Sequence, residues 1–261
     1  MVVPTAAGEI TPTSNEANGN TTPSANRPSL THNFPTEWPP DSPKLEDQLV
    51  DARIEWPKGE NRFFVPRDAM QKLITAESIL KELKRCEMKF LNSTIREQTA
   101  QKIFSDAPKL FAILVYGGLG RHICDFLEEG IDDTHLPLVR HEPLTSTGRI
   151  KLCSRKRPES PVQCMEKWER THVENLGIYQ WSMLTPCFEK SLDVNHYDLE
   201  DNCILPFVKD EERSEKNNEG GFSFVWEIEI HPAHHDLYAG PNPQVRFASL
   251  EASCTKTNAF R

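Results

Sequence analysis

A succession of helical patterns between residues 66 and 131 limits the folds that are open to this chain. Leu73, Ala76, Leu80 and Leu83 recur at steps of three or four residues, which places them on one face of a helix. Further patterns with the same period follow, separated by short polar or glycine-containing stretches. We therefore predict a small helical domain over residues 66–131, with an apolar core of its own.

Cap residues indicate where the first two of these helices begin. Asp68 is expected to cap a helix that runs to about Phe90. Thr94 is expected to open the next helix, because Thr94 and Glu97 match the spacing of a capping box.

The most apolar pattern of the domain begins at Pro108, where the missing N–H of proline costs little. Residues 110–115 are all apolar, and a pair of glycines then ends the helix. A further helix is predicted over residues 121–129, ending at Gly130. The helix that begins at Pro108 should therefore be the most buried one.

The segment before the helical domain has the composition of an unfolded arm. Of residues 1–33, 24 are Ser, Thr, Asn, Pro, Gly or Ala, so too little apolar surface is available to offset the conformational entropy lost on folding. We predict that residues 1–65 are disordered or linker, with Trp38 and Trp56 as candidates for packing on the folded body.

The segment after the helical domain lacks a clear period until residue 204. Residues 132–203 are polar and interrupted by prolines, so we predict an irregular connecting region with a short helix around residues 162–173. Its basic run over residues 151–157 is expected to be a solvated loop, the alternative being a nuclear-import or phosphate-contact patch.

The last segment, residues 204–261, has the pattern of strands. Apolar and polar residues alternate over residues 222–230, which predicts a strand, and residues 244–250 are a second candidate. The predicted fold class is therefore α+β: an N-terminal arm, a small helical bundle and then a partial antiparallel sheet.

Composition excludes several classes of protein. The formal net charge is −9, from 39 acidic and 30 basic side chains, which argues against a nucleic-acid partner. Seven scattered cysteines without a C-x-x-C pair predict free intracellular thiols. No apolar run is long enough for a signal sequence or a membrane span. We expect a cytoplasmic or nuclear protein that does not bind membranes.

Two clusters of reactive side chains are candidates for a catalytic or metal site. The histidines 231, 234 and 235 offer three imidazoles, but no C-x-x-C or H-E-x-x-H motif accompanies them, so a loop is the preferred interpretation and no metal is predicted. Four cysteines of the C-terminal half have no activating base nearby in sequence, and buried core thiols are preferred over a nucleophile: Cys153, Cys164, Cys187 and Cys203.

A pair of glycines stands at the entrance of the alternating strand. In protein kinases, a G-x-G-x-x-G-x-V loop lets the backbone approach the phosphates of ATP. Aligned with that loop, this sequence keeps only the middle glycine, Gly220, together with an aromatic residue at Phe222 and a valine at Val225. An ordinary hairpin entrance would have the same local sequence.

Several short blocks, in this order and at this spacing, carry a wider resemblance. They are Glu128 to Ile131 with Leu136 to Leu138, Gln180-Trp181 with Pro186 to Phe188, Ile204 to Phe207, Gly220 to Phe222, and Val225 through Ile230 to His234. From about residue 94 onwards the chain resembles fungal serine/threonine protein-kinase-like proteins that carry a helical region ahead of the kinase domain.

The resemblance implies that residues 204–261 form part of a kinase N-terminal lobe. The implied nucleotide-loop and strand positions, in degenerate form, are Gly220, Gly221, Phe222, Val225 and Ala248. Such kinases carry F-A-[LV]-K on the third strand, and Leu250 stands where the ATP-binding lysine is expected.

The resemblance also implies which parts of a kinase this sequence lacks. It contains no H-R-D-x-x-x-x-N loop and no D-F-G motif, which supply the base and the magnesium ligands for phosphoryl transfer. We expect a truncated, non-catalytic kinase-like protein without catalytic residues, and ATP with magnesium only if a complete kinase domain exists. The alternatives are an interaction module that binds an unknown protein partner through residues 66–131, or the incomplete N-terminal part of an active kinase.

Overall fold

The computed structural model describes residues 43–86, 92–141, 150–190, 197–210, 219–220, 223–224, 227–237 and 246–248. All of these residues belong to one compact unit, which spans residues 37–261. Gly221, Phe222 and Val225, together with the arm before residue 43, lie outside the described residues.

Helices and short strands make up the described residues, in agreement with the mixed α and β prediction. The helices are α1 (Leu45–Asp51), α2 (Arg67–Leu73), α3 (Ala76–Arg85), α4 (Ser93–Asp106), α5 (Pro108–Tyr116), α6 (Ile123–Glu128) and α7 (Arg170–Met183). The strands are β1 (Ile54–Glu55), β2 (Phe63–Phe64), β3 (Leu138–Arg140), β4 (Leu152–Ser154), β5 (Arg157–Pro161), β6 (Phe207–Asp210), β7 (Glu219–Gly220), β8 (Ser223–Phe224), β9 (Glu227–Ile230) and β10 (Arg246–Ala248).

Helix α5 is at the centre of the helical body. Every residue from Leu110 to Val115 is at most 3% exposed, which confirms the prediction that this helix is the most buried. It packs against α1, α4 and α7, while α3 packs against α4. A helix that is apolar on all sides needs neighbours on all sides, and these contacts supply them.

Two helices of this body, α5 and α6, are each followed by a glycine with positive φ. Gly118, after α5, has φ +70°, and Gly130, after α6, has φ +74°. In both places the following N–H bonds back to a carbonyl five residues earlier, Leu119 to Leu114 at 2.7 Å and Ile131 to Phe126 at 2.8 Å. This is the Schellman arrangement, which requires a left-handed residue and so favours glycine.

The N-terminus of α5 is capped from outside its own sequence. Ala107, the residue before the helix, has no side chain that could accept a hydrogen bond. Instead, the backbone N–H groups of Lys109 and Leu110 donate to the carboxylate of Asp133, at 3.0 and 2.8 Å. A negative charge at this end of a helix also interacts favourably with the helix dipole.

The helix boundaries differ from the predicted ones at their starts. The helix expected from Asp68 to Phe90 is divided at Thr75, which caps α3 in a capping box with Ser78. Helix α4 is capped by Asn92 rather than by Thr94. The sequence does not indicate the cap at Thr75, because the apolar stripe continues across this position. It does not single out Asn92, because the capping-box match at Thr94 lies only two residues later.

The part of the predicted N-terminal arm that the structure describes is ordered, which corrects the prediction for residues 43–65. Leu45 and Leu49 of α1 are buried against α5, and the β1–β2 hairpin places Phe64 in the core. Trp56 is 9% exposed, so its expected packing on the folded body is confirmed. The helix and the hairpin were not predicted because the scattered prolines of this segment indicate loop. These prolines lie beside the short elements rather than inside them.

The region predicted to be irregular contains regular structure, which corrects the prediction for residues 132–203. Strands β3, β4 and β5 form an antiparallel sheet, and α7 extends to Met183, well beyond the expected short helix. The pattern was hidden because β5 is largely exposed and α7 buries the polar side chains of Gln180 and Ser182. Within the basic run, Lys151 precedes β4, Arg155 and Lys156 form the exposed turn between β4 and β5, and Arg157 begins β5.

The last sheet is a three-stranded antiparallel meander in which β9 lies between β6 and β10. Phe207 pairs with Ile230 across β6 and β9, and Phe247 pairs with Ile228 across β9 and β10. Phe207 and Ile230 join one buried cluster with side chains of the preceding body: Trp56, Phe64, Trp181 and Ile204. The sheet is therefore attached to the helical body by an apolar interface.

Candidate functional site

The sequence-predicted nucleotide positions are only partly described, and the two that are described lie in different sheets. Gly220 ends β7 and pairs with Ser223 in a two-stranded hairpin. Ala248 ends β10 and pairs with Glu227 of the three-stranded meander. Within the strand expected over residues 222–230, the structure describes β8 and β9, which have different partners.

His234 joins the turn after β9 to the helical body. The backbone N–H of Arg67, the first residue of α2, donates to Nε2 of His234 at 2.9 Å. Nδ1 of the same ring lies 2.9 Å from the carbonyl oxygen of Pro186, to which it donates. The ring is 3% exposed and packs edge-on against Phe64 at 5.6 Å. Both ring nitrogens are thus engaged within the protein.

This arrangement requires the neutral form of the imidazole. Burial lowers the pKa of His234 to about 4, and positive charge on Arg67, or on His231 when it is protonated, acts in the same direction. Burial also lowers the pKa of His231, which lies in the same turn. A proton on Nε2 of His234 would remove the acceptor for the Arg67 N–H and place a positive charge at the start of α2.

We expect the stability of the protein to fall between neutral pH and pH 4 because of His234. Its folded pKa is below the ordinary value of 6.5, so the unfolded chain takes up the proton first. The contribution is complete above pH 6.5 and is lost as the pH falls towards 4, to a total of about 3 kcal/mol. Urea unfolding of the native protein and of His234→Gln across this range measures it.

The difference in unfolding free energy between the native protein and His234→Gln should shrink as the pH falls. His172→Gln serves as the matched control, because His172 has no side-chain hydrogen bond within the described residues. A His234→Gln difference that stays constant from pH 7 to pH 4.5 would contradict the assignment.

The neighbouring histidine contrasts with His234. His235 is 9% exposed, and neither of its ring nitrogens has a hydrogen-bond partner in the described part of the chain. Its backbone forms a bridge with Phe188, so its position is fixed by the main chain. Within the described residues, no three His, Cys, Asp or Glu side chains are grouped as a metal site would require.

Several cysteine thiols have environments that favour the protonated form. Burial raises the pKa of Cys86 to about 11, and it raises the pKa of Cys153, Cys164 and Cys203 as well. For Cys164 the carboxylate of Glu129 adds to this effect. The thiolate is the reactive form, so these environments disfavour nucleophilic chemistry at these residues.

A separate cavity lies beside α7. It has a volume of about 770 Å³ and is bounded by α7, the β1–β2 hairpin, strands β3 and β4, and residues 200–204. Its lining includes three arginines and three aromatic side chains that the sequence analysis did not single out: Arg53, Arg62, Arg140, Phe63, Tyr116 and Tyr179. We refer to it as the arginine cavity.

Two of the three arginines are held in place by neutral groups. The guanidinium of Arg53 stacks on the ring of Phe63, 4.1 Å from its centroid, and Nη1 donates to the hydroxyl of Tyr116 at 3.0 Å. Nη2 of Arg62 donates to the carbonyl oxygens of Asn202 and Cys203, at 2.8 and 3.2 Å. Arg140 is exposed at the end of β3.

Sequence reasoning missed this cavity because its three arginines flank three different strands. Arg53 precedes β1, Arg62 precedes β2 and Arg140 ends β3, and no local motif connects them. The visible basic cluster was the run over residues 151–157, whose Arg155 instead forms an ion pair with Glu200. Only the tertiary fold brings the arginines of the cavity together.

Comparison of the chain with protein-family models, curated proteins and solved structures gave no match. No helix among the described residues has the length and apolar character needed to cross a membrane. Function therefore has to be inferred from the residues and their geometry.

Proposed function

We propose that the chain is a non-catalytic, protein-kinase-like protein in which a partial N-terminal lobe is attached to a helical body. The observation that carries the proposal is the meander of β6, β9 and β10, in which the middle strand in sequence is also the middle strand in space. The glycine-bearing hairpin of β7 and β8 falls between the first two strands of this meander.

This order is the one that the resembled family uses. There the glycine loop joins the first two strands, and the third strand carries the lysine that holds the α- and β-phosphates. Here Gly220 lies in the hairpin between β6 and β9, and Ala248 lies on the third strand. Leu250 follows where the lysine is expected, so a hydrocarbon side chain replaces the cation that would contact ATP.

An apolar cluster attaches the meander to the helical body. Ile230 and Phe207 of the meander are buried with Trp56, Phe64 and Trp181 of the body. The meander thus has an apolar partner on one side in the described structure. Phosphoryl transfer depends on charged groups that position and neutralise the phosphates, and Leu250 supplies no charge at the lysine position.

A radiometric assay with magnesium-ATP and generic protein substrates tests this proposal. The purified chain should transfer no phosphate above the level of a buffer blank, while an active kinase in parallel confirms the assay. Phosphate transfer that Gly220→Val abolishes would overturn the proposal, because a contaminating kinase would be indifferent to that substitution.

The alternative function, a protein-interaction module, is favoured by one observation on α4. This helix exposes two large apolar side chains, Ile95 at 43% and Phe104 at 47%. Phe104 also lines a cavity of about 600 Å³, whose other apolar walls include Met70, Ile74 and Met183. Aromatic and methionine side chains are enriched at the centres of protein interfaces.

A quantitative pull-down separates this alternative from the first proposal. A partner that binds through α4 should be lost with Phe104→Asp and retained with Gln101→Asp, which introduces the same charge at an exposed site of the same helix. Equal retention of all partners by both variants would count against an interface at Phe104.

A further inference from the structure

The arginine cavity is lined by more basic than acidic side chains, three arginines against two glutamates. Arg53, Arg62 and Arg140 line it, and none of the three forms an ion pair with a carboxylate in the described part of the chain. The protein as a whole carries a formal charge of −9, so clustering of unpaired guanidinium groups is unusual here. Guanidinium groups match the geometry of phosphate and carboxylate oxygens.

The two carboxylates that line the cavity are neutralised by arginines that do not line it. Nε of Arg170 donates to Oε1 of Glu174 at 2.9 Å. Glu200 forms an ion pair with Arg155. Both acidic groups are therefore compensated from outside, and the three cavity arginines dominate the local potential.

Aromatic surface completes the lining. The ring of Phe63 lies beneath Arg53, and Tyr116 and Tyr179 contact each other edge-on with centroids 5.4 Å apart. All three aromatic residues are partly exposed, so part of their ring surface is accessible. Such rings provide stacking surface for a planar group of a ligand.

Gly177 and the volume of the cavity determine the size of ligand that fits. Gly177 of α7 lines the cavity, and a Cβ placed on it would meet no atom within 4 Å, so the helix leaves open space at this point. The volume of about 770 Å³ lies in the range of roughly 300–1,000 Å³ that is typical of small-molecule sites. A small molecule fits these dimensions better than a folded partner.

We propose that the arginine cavity binds a small molecule that carries both a phosphate group and an aromatic ring, of the size of a nucleoside monophosphate. The guanidinium groups of Arg62 and Arg140 bind the phosphate, and Arg53 with its aromatic neighbours contacts the ring. The site is independent of the kinase-like proposal, because none of the strands β6 to β10 lines the cavity.

Isothermal titration of the full chain with AMP, in the absence of divalent metal, tests this site. We expect saturable binding that Arg62→Ala and Arg140→Ala each weaken by about tenfold or more, since each removes a charge-assisted hydrogen bond to phosphate. Arg140→Ala keeps the test decisive if Arg62→Ala fails to fold, because only Arg62 is bonded to the backbone of residues 202–203. Arg121→Ala is the matched control, an exposed arginine outside the cavity.

Two further titrants separate the two halves of the proposal. Inorganic phosphate and adenosine should each bind far more weakly than AMP. Absence of AMP binding, or AMP binding that both cavity variants leave unchanged, would overturn the site. Phosphate binding as tight as that of AMP would overturn the role of the aromatic surface.

Discussion

Phe64→Ala is expected to lower the free energy of unfolding by about 4 kcal/mol. Phe64 is fully buried, and its ring lies edge-on to His231 and His234, with centroids 6.2 and 5.6 Å away. It also belongs to the apolar cluster that contains Phe207 and Ile230 of the meander. Truncation leaves a cavity at the interface between the meander and the helical body. Urea unfolding of both proteins measures the loss.

Phe104→Ala provides the matched control, because Phe104 is 47% exposed. The same truncation there should cost less than about 1 kcal/mol. Hydrogen exchange gives the spatial readout: in Phe64→Ala, exchange should rise more in residues 227–237 than in α5. Similar costs at Phe64 and Phe104, or equal exchange in both regions, would show that the apolar interface does not hold the meander.

Gln180→Leu is expected to lower the free energy of unfolding by about 3 kcal/mol. Gln180 is 2% exposed. Its side-chain amide bonds to the backbone of Leu138 in the way that a neighbouring strand would. Its Oε1 accepts the Leu138 N–H, and its Nε2 donates to the Leu138 carbonyl, both at 2.8 Å. Leucine would leave both buried backbone groups of Leu138 without partners, which costs the desolvation of each. Thermal and urea unfolding of the variant measure the loss.

The matched control is Gln101→Leu, at an exposed position of α4. This change should alter stability by no more than about 0.5 kcal/mol. A Gln180→Leu variant as stable as Gln101→Leu would contradict the bonded role of Gln180 between α7 and β3.

How far the sequence predicts this fold depends on whether a signal is local. Helix α5 is predictable because its proline start, its apolar run and its terminal glycines lie within twelve residues. The strand pattern of the meander is also local, since alternation shows within one strand. Helix α7 is harder to predict, because its buried face includes Gln180 and Ser182, which interrupt the apolar period.

Features that depend on tertiary contacts could not be predicted from the pattern. The cap of α5 comes from Asp133, 23 residues beyond Leu110. His234 engages Arg67 across 167 residues, so its neighbours in sequence give no indication of its role. The arginine cavity likewise combines side chains from separate elements. In each case the residue type is ordinary and only the fold supplies the partner.

The strand order of the meander tests the central claim most directly, because the kinase-like proposal depends on it. Interstrand nuclear Overhauser effects on labelled full-length chain report which backbones are adjacent. The account predicts contacts between Ile228 and Phe247 and between Phe207 and Ile230, which place β9 in the middle. Contacts of β6 with β10 directly, or β9 without partners, would contradict it.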